Sequence, residues 1–223
     1  MGFSKDWDEI YTSNKQLSIW PWDEVIALTH RHCNIKKELI VLELGCGAGA
    51  NIPFFQSIKA NYYAIEGSQT IVKRLQNSFN DSKINITCGD FTKDFEFDEI
   101  IGKVDLIIDR SSVTHNTTKS IQNVIKMALK ALKPGGKYMA FDWFDINSDA
   151  YKNDEKIEID SNTFVFKNGY FAGLGNVHFS DENHIKELFS DFKIDYLINN
   201  IKNQLLPTPK LNSSFTFVAT KSL

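Results

Sequence analysis

Long apolar runs are missing from this sequence: none approaches the ~20 residues that a membrane-spanning helix needs. An excess of positive charge is missing too. Lysine and arginine number 25 against 28 acids, a net charge of −3, so no basic face is available to favour nucleic acid. Cysteine is scarce, at three residues (Cys33, Cys46 and Cys88). That odd, small number excludes a disulfide framework and fits free thiols in a reducing compartment. The start, MGFSKDWDEIYTSN, lacks the basic-then-apolar pattern of a secretory signal. A cytoplasmic location is therefore expected. Aromatic residues are not scarce: 17 Phe, 7 Tyr and 4 Trp stand in 223 residues. A chain of this length can bury roughly 70% of its unfolded surface. One packed domain over residues 1–223 is the expectation, without low-complexity linkers or repeats.

The pattern along the chain is one of apolar strands alternating with amphipathic helices. Strands are expected at Leu39–Leu44, Asn61–Ile65, Ile84–Cys88, Val104–Ile108 and Tyr138–Phe141. Runs this apolar suit strands buried on both faces of a parallel sheet. Helices are expected at Asp23–His32, Ala50–Ile58, Ser68–Asn80, Thr118–Leu132 and Asp181–Phe189, with Ser68 and Ser180 as N-caps. Lys156–Lys167 alternates like a hairpin turning at Asp160-Ser161-Asn162, and glycines 169, 173 and 175 mark an irregular stretch. Residues 145–179 therefore read as an insertion. Phe192–Ile198 and Ser214–Thr220 read as the last strands. The fold class is α/β, with right-handed crossovers.

The chemistry concentrates where strands end. Val41-Leu42-Glu43-Leu44-Gly45-Cys46-Gly47-Ala48-Gly49-Ala50 joins a strand to a helix. Glycines there permit a tight turn and close approach of a ligand, and the helix start offers free N–H groups. Gly45-x-Gly47-x-x-Ala50 also satisfies the dinucleotide fingerprint, with Glu66 21 residues on. A nicotinamide-dependent oxidoreductase is thus a reading to weigh. Three features tilt against it. Glu43 would oppose a pyrophosphate and suits a cationic or amino-bearing ligand. Asp90 and Phe91 end the third strand, where an acid and a ring can meet an adenine. Leu132-Lys133-Pro134-Gly135-Gly136-Lys137 is a helix stop and turn that no dinucleotide site requires.

At these residues the chain resembles the class I S-adenosylmethionine-dependent methyltransferases of small-molecule type. The matching pieces are ELGCGAG, the acid of AIEGS, GDF, VDLIIDRSS and LKPGG, in family order from about Glu38 to Asp142. The resemblance implies a Rossmann-like seven-stranded sheet with helices on both faces, six strands parallel and the last antiparallel. S-adenosylmethionine would lie over the strands' C-terminal ends and leave as S-adenosylhomocysteine. Gly45, Cys46 and Gly47 would shape the loop under its methionine part, and Glu43 would brace that loop or sense the amino group. Glu66, followed by Gly67, would accept from both ribose hydroxyls. Asp90 and Phe91 would contact the adenine. Arg110 would join this cofactor set, with Tyr11 and Trp20 from an amino-terminal aromatic lid (Trp7, Tyr11, Trp20, Trp22) in residues 1–37.

Asp109 and His115 are the candidate catalytic residues, His115 as a general base. Arg110-Ser111-Ser112 departs from the Pro-Pro-aromatic pattern of enzymes that methylate nucleic-acid bases. His30, His32 and Cys33 have the wrong spacing for a metal pair, so no metal is expected. The expected reaction is methyl transfer to O, N or S of a small molecule, with no nucleic acid, no membrane, and a monomer or homodimer. A non-catalytic cofactor-binding partner and aminopropyl transfer stay open alongside it.

Overall fold

A computed structural model describes residues 18–222. The expectations for Trp7 and Tyr11 lie outside the described residues. The first described helix is α1 (Asp23–His32). Its Val25 and Leu28 are buried with Leu39 and Val41 in one core cluster, so α1 packs on the sheet. Among the described residues of the expected lid, Ser18 and Trp22 reach the central cavity. Then come β1 (Ile40–Leu44), α2 (Ile52–Ser57), β2 (Asn61–Glu66), α3 (Gln69–Ser78), β3 (Ile84–Cys88), β4 (Val104–Arg110), α4 (Thr118–Ala131) and β5 (Leu132–Phe144). The chain continues with α5 (Asp149–Asn153), β6 (Lys156–Asp160), β7 (Thr163–Phe166), β8 (Asn176–His178), α6 (Glu182–Leu188), β9 (Phe192–Gln204) and β10 (Lys210–Lys221).

Seven strands form one sheet in the order β3-β2-β1-β4-β5-β10-β9. β1 to β5 pair in parallel; β10 runs antiparallel to both β5 and β9. The expected six-plus-one sheet is therefore present. Its centre is apolar on both faces. Leu42, Leu44, Ile107 and Tyr138 pack with α4, while Val41, Tyr62, Leu106 and Met139 pack with α1 to α3. The strand order reverses between β1 and β4, which opens a crevice at their C-terminal ends.

The helix starts follow local chemistry. Ser68 Oγ accepts from Ile71 N at 3.3 Å and caps α3 as expected. The cap of α6 is Asp181, which accepts from His184 N at 2.8 Å, and not Ser180. Ser180 Oγ is occupied by the indole N–H of Trp143 at 2.9 Å.

The expected hairpin forms as β6 and β7, and β8 adds a third antiparallel strand. This small sheet has its own aromatic core of Phe164, Phe166, Phe171 and Phe179 with Val177. It is fastened to the start of α4 by Asp160, whose carboxylate accepts from Thr118 N and Oγ1 at 2.9 and 2.8 Å. The final hairpin is much longer than expected. β9 and β10 pair from Lys210↔Gln204 to Lys221↔Phe192, with one bulge between Val218 and Ala219.

Candidate active site

The crevice holds a cavity of about 750 Å³. One end is the loop between β1 and α2. Gly45, Gly47 and Gly49 have φ of +71°, +52° and +82°, a region that disfavours side chains. A Cβ on Gly45 would stand 2.6 Å from Ser112 Cβ. Only glycine lets this loop pass Ser112.

Glu66 ends β2 and is buried. Its Oε2 accepts from Gly47 N and its Oε1 from Ser68 N, both at 2.9 Å. The carboxylate is thus fixed by the glycine loop and by the start of α3, and it lines the cavity. Glu43 lies deeper. Tyr62 Oη donates to it at 2.6 Å and Asn51 Nδ2 at 2.9 Å. Burial raises its carboxyl to about 7 despite these two bonds. Glu43 therefore braces β1 against α2, while still lining the cavity. Cys46 is buried, and burial pushes its thiol well above the usual range. It fills space and is no thiolate nucleophile.

Gly67, Asp90 and Phe91 line the same end. Burial of Asp90 opposes its ionisation, but hydrogen bonds from Thr92 and the ammonium of Lys93 outweigh it and hold the carboxyl below its ordinary value. Phe91 stands near the Gly45 turn.

The loop after β4 departs from expectation in one respect. Asp109 does not face the cavity. It is 1% exposed, and its oxygens accept from Ser112 N, Ser112 Oγ, Val113 N and Tyr138 Oη at 2.7–3.2 Å. With all four bonds internal, it shapes the loop and cannot touch an acceptor. Ser111 is held at φ +51°, and the single hydroxyl proton of Ser112 is shared between Asp109 and the carbonyl of Leu44. His115 does line the cavity. Its Nδ1 lies 3.1 Å from the carbonyl of Asn176 in the insertion. Burial lowers the imidazole to about 4, although the Asn176 and Leu174 carbonyls favour its protonated form.

Arg110 also lines the cavity. It pairs with Asp142 at 2.6 Å, and its guanidinium lies 3.5 Å from the ring centre of Trp22. Trp20 does not reach the site and is 75% exposed. The reason is local: Trp22 N donates to Asn51 Oδ1 at 3.4 Å at the start of α1, which sets that ring over Arg110. Trp20 precedes this anchor.

The other end of the cavity was not foreseen in full. Phe144, Phe171, Leu174 and Tyr170 form one wall; Asn200, Lys202, Lys210 and Asn212 of the long hairpin form another. The aromatic signal was legible in Tyr170 and Phe171. The hairpin left only a faint signal, Ile201 and Leu211 standing singly in the polar runs 200–204 and 210–214.

This geometry suits S-adenosylmethionine. Two cavity-lining acids, Glu66 and Asp90, sit beside the ring of Phe91 and a glycine cradle that a Cβ would fill. Residues 41–136 match the family model described as a methyltransferase domain. By matched domain and by fold, the chain is similar to the class I S-adenosylmethionine-dependent methyltransferases. A fibrillarin-like rRNA/tRNA 2'-O-methyltransferase of Methanococcus vannielii is 32% identical over 109 residues, 45% of this chain and 47% of that protein. The chain thus spans about half the length of that curated relative. Among solved structures, an S-adenosylmethionine-dependent methyltransferase of Methanosarcina mazei superposes with a TM-score of 0.70 at 17% identity, over 91% of this chain and 99% of the other. The 1,6-didemethyltoxoflavin-N1-methyltransferase of Burkholderia thailandensis, solved with its acceptor and S-adenosylhomocysteine, gives 0.63 at 14% identity, over 90% and 78%. No described helix is long and apolar enough to cross a membrane.

Proposed function

We propose that this chain methylates an O, N or S atom of a small molecule. The observation that carries this reading is one continuous cavity. It joins the glycine loop and Glu66 to a chamber walled by the insertion and the last hairpin. The net charge of −3 argues against a nucleic-acid acceptor. The Burkholderia relative, which acts on a small heterocycle by its name, supports the same direction.

S-adenosylmethionine, when bound, supplies an activated methyl group. The chain's own residues then have three tasks. Glu66 takes the ribose hydroxyls, already oriented by Gly47 N and Ser68 N. Asp90 and Phe91 hold the adenine edge and face. His115, Phe144 and Phe171 position the acceptor and keep water out. At about 4 the imidazole of His115 is neutral at pH 7 and a weak base, so its contribution is placement, not strong proton abstraction. Asp109 serves by fixing the loop that carries His115.

Calorimetric titration with S-adenosylhomocysteine, S-adenosylmethionine and NAD tests the cofactor part. The first two should saturate the wild type. Glu66→Ala should weaken them by ten- to a hundredfold, since hydrogen bonds to a charged group are worth about 1.5–3 kcal/mol. Saturation by NAD alone would overturn the reading and restore the dinucleotide alternative.

A further inference from the structure

The chamber beyond the cofactor loop is chemically lopsided. β9 and β10 pair as Asn200↔Ser214, Lys202↔Asn212 and Gln204↔Lys210. Directly paired residues share a face, and residues two apart share it again. These six side chains therefore form one polar face, and all six line the cavity. Two are cations and none is an acid. Among the described residues neither Lys202 nor Lys210 makes an ion pair. Glu24, the acid whose ionisation Lys202 favours, is instead hydrogen-bonded by Thr216 Oγ1 at 3.1 Å. The third cavity cation, Arg110, is already matched by Asp142. Asp142 accepts from Ser214 Oγ at 3.4 Å at the edge of this face but is held by Arg110, while Glu43, Glu66 and Asp90 stand with the glycine loop.

The insertion faces this hairpin with rings. Phe144 and Phe171 lie 4.8 Å apart, Tyr170 and Phe171 5.0 Å, in edge-to-face contact. Lys210 Nζ is 5.5 Å from the Tyr170 ring centre. Such a wall favours a flat ring over a flexible chain.

Resting on the methyltransferase reading, we propose that the acceptor is an aromatic ring bearing an anionic group, with the ring against Phe144 and Phe171 and the anion toward Lys202 and Lys210. The hairpin end of the cavity selects the anion; the cofactor end, lined by carboxylates, repels it. One orientation is thereby favoured over its reverse.

The test uses full-length protein saturated with S-adenosylhomocysteine. Probes are 4-hydroxybenzoate, 4-hydroxyphenyl phosphate and the neutral 4-hydroxybenzamide, titrated by calorimetry. At least one anion should bind roughly tenfold tighter than the amide. Which anion does so distinguishes a carboxylate from a phosphate acceptor. The preference should shrink at high salt. It should vanish in the Lys202→Gln/Lys210→Gln variant, with S-adenosylhomocysteine affinity unchanged. Equal binding of amide and anions, no anion binding, or a preference that survives the double substitution would each overturn the proposal. Each leaves the methyltransferase reading standing as long as S-adenosylhomocysteine binds. If S-adenosylhomocysteine itself fails to bind, the reading and this proposal fall together.

Discussion

At the residue scale, His115 carries the sharpest test. A general base titrating near neutrality would give a kcat that rises with pH around 6.5. The buried imidazole, lowered to about 4, does not titrate there. With a saturating acceptor, kcat should show no imidazole-type rise between pH 6 and 8, and His115→Gln should raise KM more than it lowers kcat. A kcat profile with a midpoint near 6.5, abolished by His115→Gln, would restore the general-base role. The residues visible in the sequence were those whose chemistry is local. Gly45, Glu66 and Asp90 stand at strand ends, where turn geometry and chemistry coincide in a few consecutive positions. Asp109 was misplaced because its own loop turns back on it through Ser112 and Val113, and Tyr138 of another strand closes over what is left. Trp20 and Trp22 flank one proline and look equivalent in sequence; a hydrogen bond to Asn51, 29 residues away, separates them.

At the scale of elements, the insertion behaves as a small unit with its own core. Phe179 is fully buried and meets the rings of Phe144, Tyr151, Phe164, Phe166 and Phe171 at 5.1–6.5 Å. Phe179→Ala should weaken this unit by about 3–5 kcal/mol, the usual consequence of removing a buried ring. Hydrogen exchange should accelerate over residues 151–178 and not in β1 to β4, while S-adenosylhomocysteine binding persists. Uniform acceleration across the chain would show that the insertion and the main sheet unfold as one. The first hairpin of this segment could be read from Lys156–Lys167 because Lys156–Asp160 alternates and Asp160-Ser161-Asn162 supplies a turn. β8 could not, since three residues after a glycine-rich stretch give no period. The extension of β9 and β10 escaped for a related reason. Asn, Lys and Gln favour strands poorly, and only pairing across the hairpin holds them extended.

For the whole molecule, buried ionisable groups set opposite pH trends. The Glu43 carboxyl rises from 4.5 unfolded to about 7 folded. The folded state then binds the extra proton, so this group favours folding at low pH and loses that contribution as pH rises from 4.5 to 7. His115 and His178, lowered from 6.5 to about 4 and about 3 by burial, act the other way. They remain uncharged in the fold and destabilise it as pH falls below 6.5. Between pH 5 and 6.5 the two effects oppose. Glu43→Gln removes one of them. Denaturant titrations at pH 5 and pH 7 should show the variant gaining about 2 kcal/mol more than the wild type on going from 5 to 7. Equal gains would mean that Glu43 is ionised throughout. The α/β class was legible because five apolar strands alternate with helices, whereas the seven strands with an antiparallel last one followed from the family resemblance and their order from the structure.

The paired register of the last hairpin has one more consequence. On β9 the cavity face is made of the even-numbered Asn200, Lys202 and Gln204, and the odd-numbered Ile201 points away, 62% exposed. The chamber wall is thus a matter of parity. One residue inserted between Ile198 and Asn200 would shift every later side chain of β9 to the other face. Ile201 and Asn203 would then replace Lys202 along the chamber, while Glu66 and the glycine loop stayed as they are. A lineage carrying this fold could change the charge its acceptor must bear in a single step, without altering the methyl donor.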